Sequence, residues 1–238
     1  LRSPHPRSPL SRPPLSSPLT GSPQQGRLPP SKHKTDRRPV QSVVPFVGLT
    51  GGMGAGKSTA LKALADLGAK VLSTDAVVHE LYGEQNVRDA VVERWGSEVA
   101  PGGVVERTAV AAKAFAGGEE DRRWLEGLLW PLVGARIAGW LEHVRALRPA
   151  PRAAVVEVPL LFEAGMERGF DATIAIVAQE NRRAERAAGR GHALEDERVA
   201  RQLSQEEKAR RATFTVHNDG SEEDLRRELA GVLAKLSQ

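Results

Sequence analysis

The sequence predicts an α/β fold: a mainly parallel sheet with helices on its faces, a helical insertion between its strands and a charged helical lid. Strand-length apolar runs (VVPFVGLT, AKVLSTD, PRAAVVEVP, ATIAIVA) alternate with helical patterns, as expected of strands buried on both faces and joined by crossovers. The first run ends in glycines and leads directly into a helix. A long stretch of helical periodicity then separates the second strand from the third.

Residues 1–42 stand apart. They hold ten of the 16 prolines and eight Lys/Arg against one acid, Asp36, a local charge of +7. With few bulky apolar residues they cannot offset chain entropy, so a disordered basic Pro/Ser-rich tail is expected. The whole chain is +4, which leaves residues 43–238 at −3; that charge argues against a nucleic-acid partner. Cysteine is absent, excluding disulfide frameworks and thiolate metal sites and making a cytoplasmic location the default. No apolar run reaches the roughly 18 residues of a membrane span, and the N-terminus lacks a secretory apolar segment. A soluble enzyme with no membrane partner is expected.

The sheet domain begins at Val43. KSTALKALADLG reads as a helix with Leu61, Leu64 and Leu67 on one side and Gly68 as its stop. AKVLSTD is the second strand, closed by Asp75. Residues 76–150 form the helical insertion, broken by a Pro-Gly-Gly turn at 101–103, with Trp124, Leu125, Leu128, Leu129 and Leu132 spaced by three and four. The core resumes over 151–181 with two strands, each followed by a charged helical segment. Residues from about 182 to 211 are dense in charge and poor in large apolar side chains, which suits a lid. The core closes over 212–238 with the short strand FTVHN and an amphipathic helix from Glu222 to Leu236.

Chemistry concentrates at GGMGAGKS, residues 51–58, which fits G-x-x-x-x-G-K-[ST] with Gly51, Gly56, Lys57 and Ser58 at the fixed positions. The backbone of Gly51, Gly52, Met53, Gly54, Ala55 and Gly56 is expected to cradle phosphate oxygens, helped by the positive N-terminal end of the next helix. Lys57 suits the β- and γ-phosphates of ATP, Ser58 a Mg²⁺ ion, and Thr59 the α-phosphate. No N-K-x-D tetrapeptide occurs, which argues against a GTPase, and the chain is short for a motor ATPase. A P-loop small-molecule kinase fits better, and it needs a group that accepts the proton of the acceptor hydroxyl. Asp75, at a strand end, suits that role; its alternative is to cap the following helix. Trp95, Trp124, Trp130 and Trp140 have rings able to stack on an adenine, though their helical spacing favours packing.

The motifs then extend well beyond the phosphate loop. GLTGGMGAGKST with GAKVLSTDAVVHELY, then GGVVERTAVAAKAF (Gly103, Arg107, Phe115), then VVEVPLLFEAGM, then the segment carrying Arg186, Arg190, Gln202, Lys208, Asn218 and Gly220, occur in the order seen in dephospho-CoA kinases. The chain resembles that family over roughly residues 46–236. The resemblance implies a nucleotide-binding core, a helical domain that grips a CoA-like substrate, and a lid. It implies that phosphate passes from ATP to the ribose 3′-hydroxyl of dephospho-CoA, giving CoA and ADP. It also implies Asp75 as base, Arg186 and Arg190 closing on the triphosphate, and Glu163 as a candidate for substrate positioning. Glu157 stands where that family often has Asp, which implies help in holding Mg²⁺ through water; its alternative is a plain acid at a strand end. An always-charged planar guanidinium fork suits two phosphate oxygens; the alternative for both arginines is a solvated helix face. The family's usual Asp-Ala-Asp is Ser73-Thr74-Asp75 here, an Arg four residues on is His79, and a His-Pro pair is Trp130-Pro131. Two alternatives remain: another P-loop small-molecule kinase, which the PLLFE run disfavours, and an inactive nucleotide-binding protein, which retention of Lys57, Ser58, Asp75, Arg186 and Arg190 disfavours.

Overall fold

The structure is a computed structural model that describes residues 44–187 and 202–238, without the side chains of 184–187. Five parallel strands, β1 (Phe46–Gly51), β2 (Lys70–Ser73), β3 (Ala154–Glu157), β4 (Ala172–Val177) and β5 (Phe214–His217), form one sheet in the order β2-β3-β1-β4-β5. Every residue of β3 and β4 is buried, which is why both read as mostly apolar runs, broken by Glu157 and Thr173, rather than alternating ones.

Period-two alternation sends Val47, Leu49, Val155, Ile174 and Ile176 to one face, where they pack with α1 (Lys57–Asp66) and α8 (Glu222–Leu236) through Leu64, Leu229 and Leu233. On the other face Val156 meets Leu161 and Phe162, with Phe46 and Phe170 beside them. The closing helix starts as the sequence requires: Ser221 Oγ accepts from Asp224 N, and the Asp224 carboxylate accepts from Ser221 N, a reciprocal capping box.

Between β2 and β3 run α2 (Thr74–Leu81), α3 (Gln85–Trp95), α4 (Arg107–Ala116) and α5 (Gly118–Ala146), with short 3₁₀ turns at Ser97–Val99 and Pro101–Gly103. Their apolar residues, among them Leu81, Val91, Trp95, Val110 and Leu129, gather in a cluster separate from the sheet core. Trp95 meets Trp124 edge to face at 5.0 Å, while the Arg94 guanidinium lies 5.6 Å over the Trp124 ring and pairs with Asp121 at 2.6 Å. Beyond β4 come α6 (Glu180–Ala187) and α7 (Gln205–Arg211). No helix among the described residues is long and apolar enough to cross a membrane.

Two expectations change. The segment after β3 is not helical: Val158 N donates to Leu49 O and Met166 N to Leu161 O, turning Leu161 and Phe162 in beneath the sheet before a 3₁₀ turn at Met166–Gly169. Two consecutive buried apolar residues hold that connection against the sheet as a turn. Strand β2 also stops at Ser73, the N-cap of α2, so Asp75 lies in the first turn of a helix rather than at the strand's end. Residues 188–201, which contain Arg190, lie outside the described residues, as does the side chain of Arg186.

Candidate active site

Because all strands are parallel, the loops after β1, β2, β3 and β5 meet at one sheet edge, where open α/β sheets hold their ligands. The phosphate loop is closed by backbone: Ala55 N donates to Gly52 O at 3.2 Å. Gly56 takes the left-handed conformation (φ 94°) as the N-cap of α1, turning the chain abruptly into the helix. Gly54 is left-handed too (φ 71°), and a Cβ there would lie 2.6 Å from the Arg183 carbonyl oxygen. Lys57 Nζ donates to the carbonyls of Gly51 and Gly52 at 3.1 and 3.2 Å. Asn218, at the end of β5, is buried and donates through Nδ2 to Ala55 O at 2.9 Å.

A cleft of about 770 Å³ opens beside this loop. It brings together most of the residues expected to act. Met53, Gly54, Gly56, Lys57, Ser58 and Thr59 line it from the loop and α1, Asp75 and Val78 from α2, and Glu157 from the end of β3. Gly51, Gly52 and Ala55 are buried parts of the loop and do not line the cleft. The cleft is also lined by Glu126, Trp130, Val133 and Gly134 of α5, and by Gln202, Asn218 and Gly220.

Asp75 is exposed into this space, while Glu157 is only 7% exposed. Its register places Glu157 between Leu49 of β1 and Ser73 of β2. The residue lines the cleft, so its carboxylate is available to that space. Ser58 and Glu157 therefore present a hydroxyl and a carboxylate to the same cleft, and hard oxygen donors of this number suit Mg²⁺, which keeps most of its waters. Among the described residues no cluster of three or more His, Cys, Asp or Glu is arranged for an all-protein metal cage.

Lys208 was not singled out for a role by sequence, because it sits in a charged stretch that reads as solvated. Its side chain is fully buried. Nζ donates to Pro159 O at 2.8 Å and pairs with Glu163 Oε1 at 3.0 Å, and that same oxygen accepts from Leu203 N at 2.8 Å. Burial pushes the Lys208 ammonium below its ordinary value, and the Glu163 carboxylate opposes that. The pair fastens the start of α7 to the PLLFE turn, with Pro159 O also accepting from Thr50 Oγ1 at 3.1 Å.

Arg183 also escaped the sequence reading, which pointed to arginines further along. Its Nε donates to Met53 O at 2.9 Å and its Nη1 pairs with Glu180 at 2.6 Å, laying α6 over the phosphate loop. Gln205 ties α7 to the end of β4, exchanging two 2.9 Å hydrogen bonds with the backbone of Ala178. Contacts of this kind, made to main-chain carbonyls, have no sequence signature.

The family model for dephospho-CoA kinase, CoaE, matches residues 45–224. The chain belongs to the dephospho-CoA kinase family. A dephospho-CoA kinase from Deinococcus radiodurans is 38% identical over 193 residues, covering 80% of this chain and 91% of its own. One from Thermus thermophilus is 34% identical over 195 residues, covering 81% and 92%. A solved Thermus thermophilus structure superposes with a TM-score of 0.66 at 33% identity over 81% of this chain and 98% of that one. A dephospho-CoA kinase structure from Campylobacter jejuni, 24% identical, shares the fold with a TM-score of 0.55 over 81% of this chain and 96% of that one. Membership in the dephospho-CoA kinase family makes the chain an ATP-using kinase, and the family match spans the phosphate loop, the insertion and both α6 and α7.

Proposed function

We propose that this chain transfers the γ-phosphoryl group of ATP to the ribose 3′-hydroxyl of dephospho-CoA, giving CoA and ADP in the cytoplasm. One observation carries the reading: Lys57 and Ser58, Asp75, and a wall of the helical insertion all open onto one cleft, so donor phosphate, base and acceptor can meet.

The Asp75 carboxylate takes the proton of the 3′-hydroxyl as the new O–P bond forms and the bond from the γ-phosphorus to the β–γ bridging oxygen breaks. Asp75 reaches the cleft from the first turn of α2. Lys57 leaves the loop carbonyls it now contacts to follow the negative charge gathering on the leaving phosphate. Ser58 and Glu157 would hold Mg²⁺, which supplies charge neutralisation on the β- and γ-oxygens. Arg186 and Arg190, with their permanent charge, are proposed to cover the triphosphate from the lid side. Residues 76–150 are proposed as the acceptor-binding unit and 1–42 as a dispensable basic tail.

The test is coupled ATP turnover by the full chain with Mg²⁺. ADP should form only when dephospho-CoA is present, with stoichiometric CoA as product. Equal turnover on unrelated alcohols, or none on dephospho-CoA, overturns the reading.

A further inference from the structure

The four tryptophans part company in the structure. Trp95 is buried against Trp124, and Trp140 packs beside the Val144–Ala154 and Val156–Phe162 clusters. Trp130 is 54% exposed and lines the cleft. Residues Glu126, Trp130, Val133 and Gly134 follow one another at helical spacing on α5, and all four face the cleft together with Asp75 and Val78 of α2, the helix packed against α5. A large indole held in a concave site beside a small α-carbon and a valine is a flat apolar surface with room in front of it.

The charges around it select what it meets. Among the described residues that line the cleft, Lys57 is the only cation, and it belongs to the phosphate loop. The α5 wall therefore cannot neutralise a diphosphate. It offers instead a π face, an aliphatic edge and, at Glu126, a carboxylate able to accept from an exocyclic amine. In dephospho-CoA the adenine and the diphosphate are both carried by the ribose whose hydroxyl must reach Asp75, and of these two neighbours a wall without cations suits the base. We infer that Trp130 stacks on the adenine of the acceptor, with Glu126 accepting from its amino group, and that the two set acceptor specificity. This rests on the acceptor reading given above.

Base stacking on an aromatic side chain is worth about 1–3 kcal/mol by alanine substitution, so Trp130→Ala should raise the KM for dephospho-CoA roughly fivefold to 150-fold. The KM for ATP should hold within about twofold, and Trp130→Phe should recover most of the loss. Glu126→Ala should weaken dephospho-CoA several-fold, but not an acceptor carrying hypoxanthine, which lacks the amine. Binding read without turnover gives a second measurement: dephospho-CoA should quench the tryptophan fluorescence of wild type and quench Trp130→Phe much less. An unchanged acceptor KM in Trp130→Ala, or a raised KM for ATP in its place, overturns the assignment while wild-type turnover of dephospho-CoA keeps the reaction intact. A wild type that fails to phosphorylate dephospho-CoA overturns the reaction itself.

Discussion

In the sheet, β3 and β4 bury every residue they have, whereas the 29 residues of α5 bury only Leu129, Val133 and Val144. A strand enclosed on both faces has a single environment, so its sequence declares its place. A long helix on the flank divides its residues between a packed side and a side turned elsewhere, and the division depends on how the helix is rotated about its axis. The same contrast separates their chemistry. At the sheet edge the cleft is lined mostly by main chain and fixed charges, which on the proposed reading handle phosphate; at the insertion it is lined by side chains, proposed to meet the acceptor.

If that division holds, damage at the sheet edge should appear in turnover and damage in the insertion in acceptor affinity. The largest effect is expected from Asp75→Asn, which removes the proposed proton acceptor and should lower kcat by roughly 10²–10⁴-fold while ATP binding, read by calorimetry, persists. Lys57→Met should cost about 10²–10³-fold in turnover through lost charge stabilisation. A drop confined to KM in either variant would break the contrast.

Smaller, structural effects sharpen it. Lys208→Met strands the Glu163 carboxylate in a site where the lysine side chain is fully buried and the glutamate side chain 13% exposed. Urea denaturation should show a loss of about 3–5 kcal/mol, partly restored by adding Glu163→Gln. Gly54→Ala forces a left-handed conformation on a residue with a Cβ and presses on the Arg183 backbone; a loss of about 1–2 kcal/mol with weakened ATP binding is expected. The mildest is in the insertion. Asp121 is held below its ordinary value chiefly by its hydrogen bond to Arg94. A carboxylate lowered on folding contributes stability above its unfolded value of 3.8, and that contribution disappears as pH falls through the lowered one. Arg94→Ala should therefore flatten the acid limb of a stability-against-pH curve between about pH 5 and 2 and leave the neutral ATP KM unchanged.

What the sequence declared follows the same line. The phosphate loop was legible because a backbone cradle demands Gly and Lys at set spacings, and the central strands were legible because burial on two faces leaves few polar residues among them, Thr50, Glu157 and Thr173 in β1, β3 and β4. Asp75 was placed two residues too far along β2, since VLSTD carries no mark of where extended backbone gives way to the Ser73 N-cap. Trp130 could not be told from Trp124 or Trp140 by spacing, because what distinguishes them is which side of α5 the sheet and α2 occupy. Lys208 and Arg183 were hidden for another reason: their partners are a distant carboxylate and main-chain oxygens, and charge-rich segments read as solvated whether or not one member turns inward.

The hydrogen bond from Asn218 to Ala55 joins residues 163 positions apart, and β1 lies between β3 and β4, both made much later than itself. On the ribosome, then, the phosphate loop leaves the exit tunnel before the rest of the site and is finished last. Its strand waits for both neighbours, and its turn waits for an asparagine 163 residues further on. A nascent or C-terminally truncated chain would carry the complete nucleotide motif without the shape that grips a nucleotide, so ATP binding would report that synthesis has passed β5.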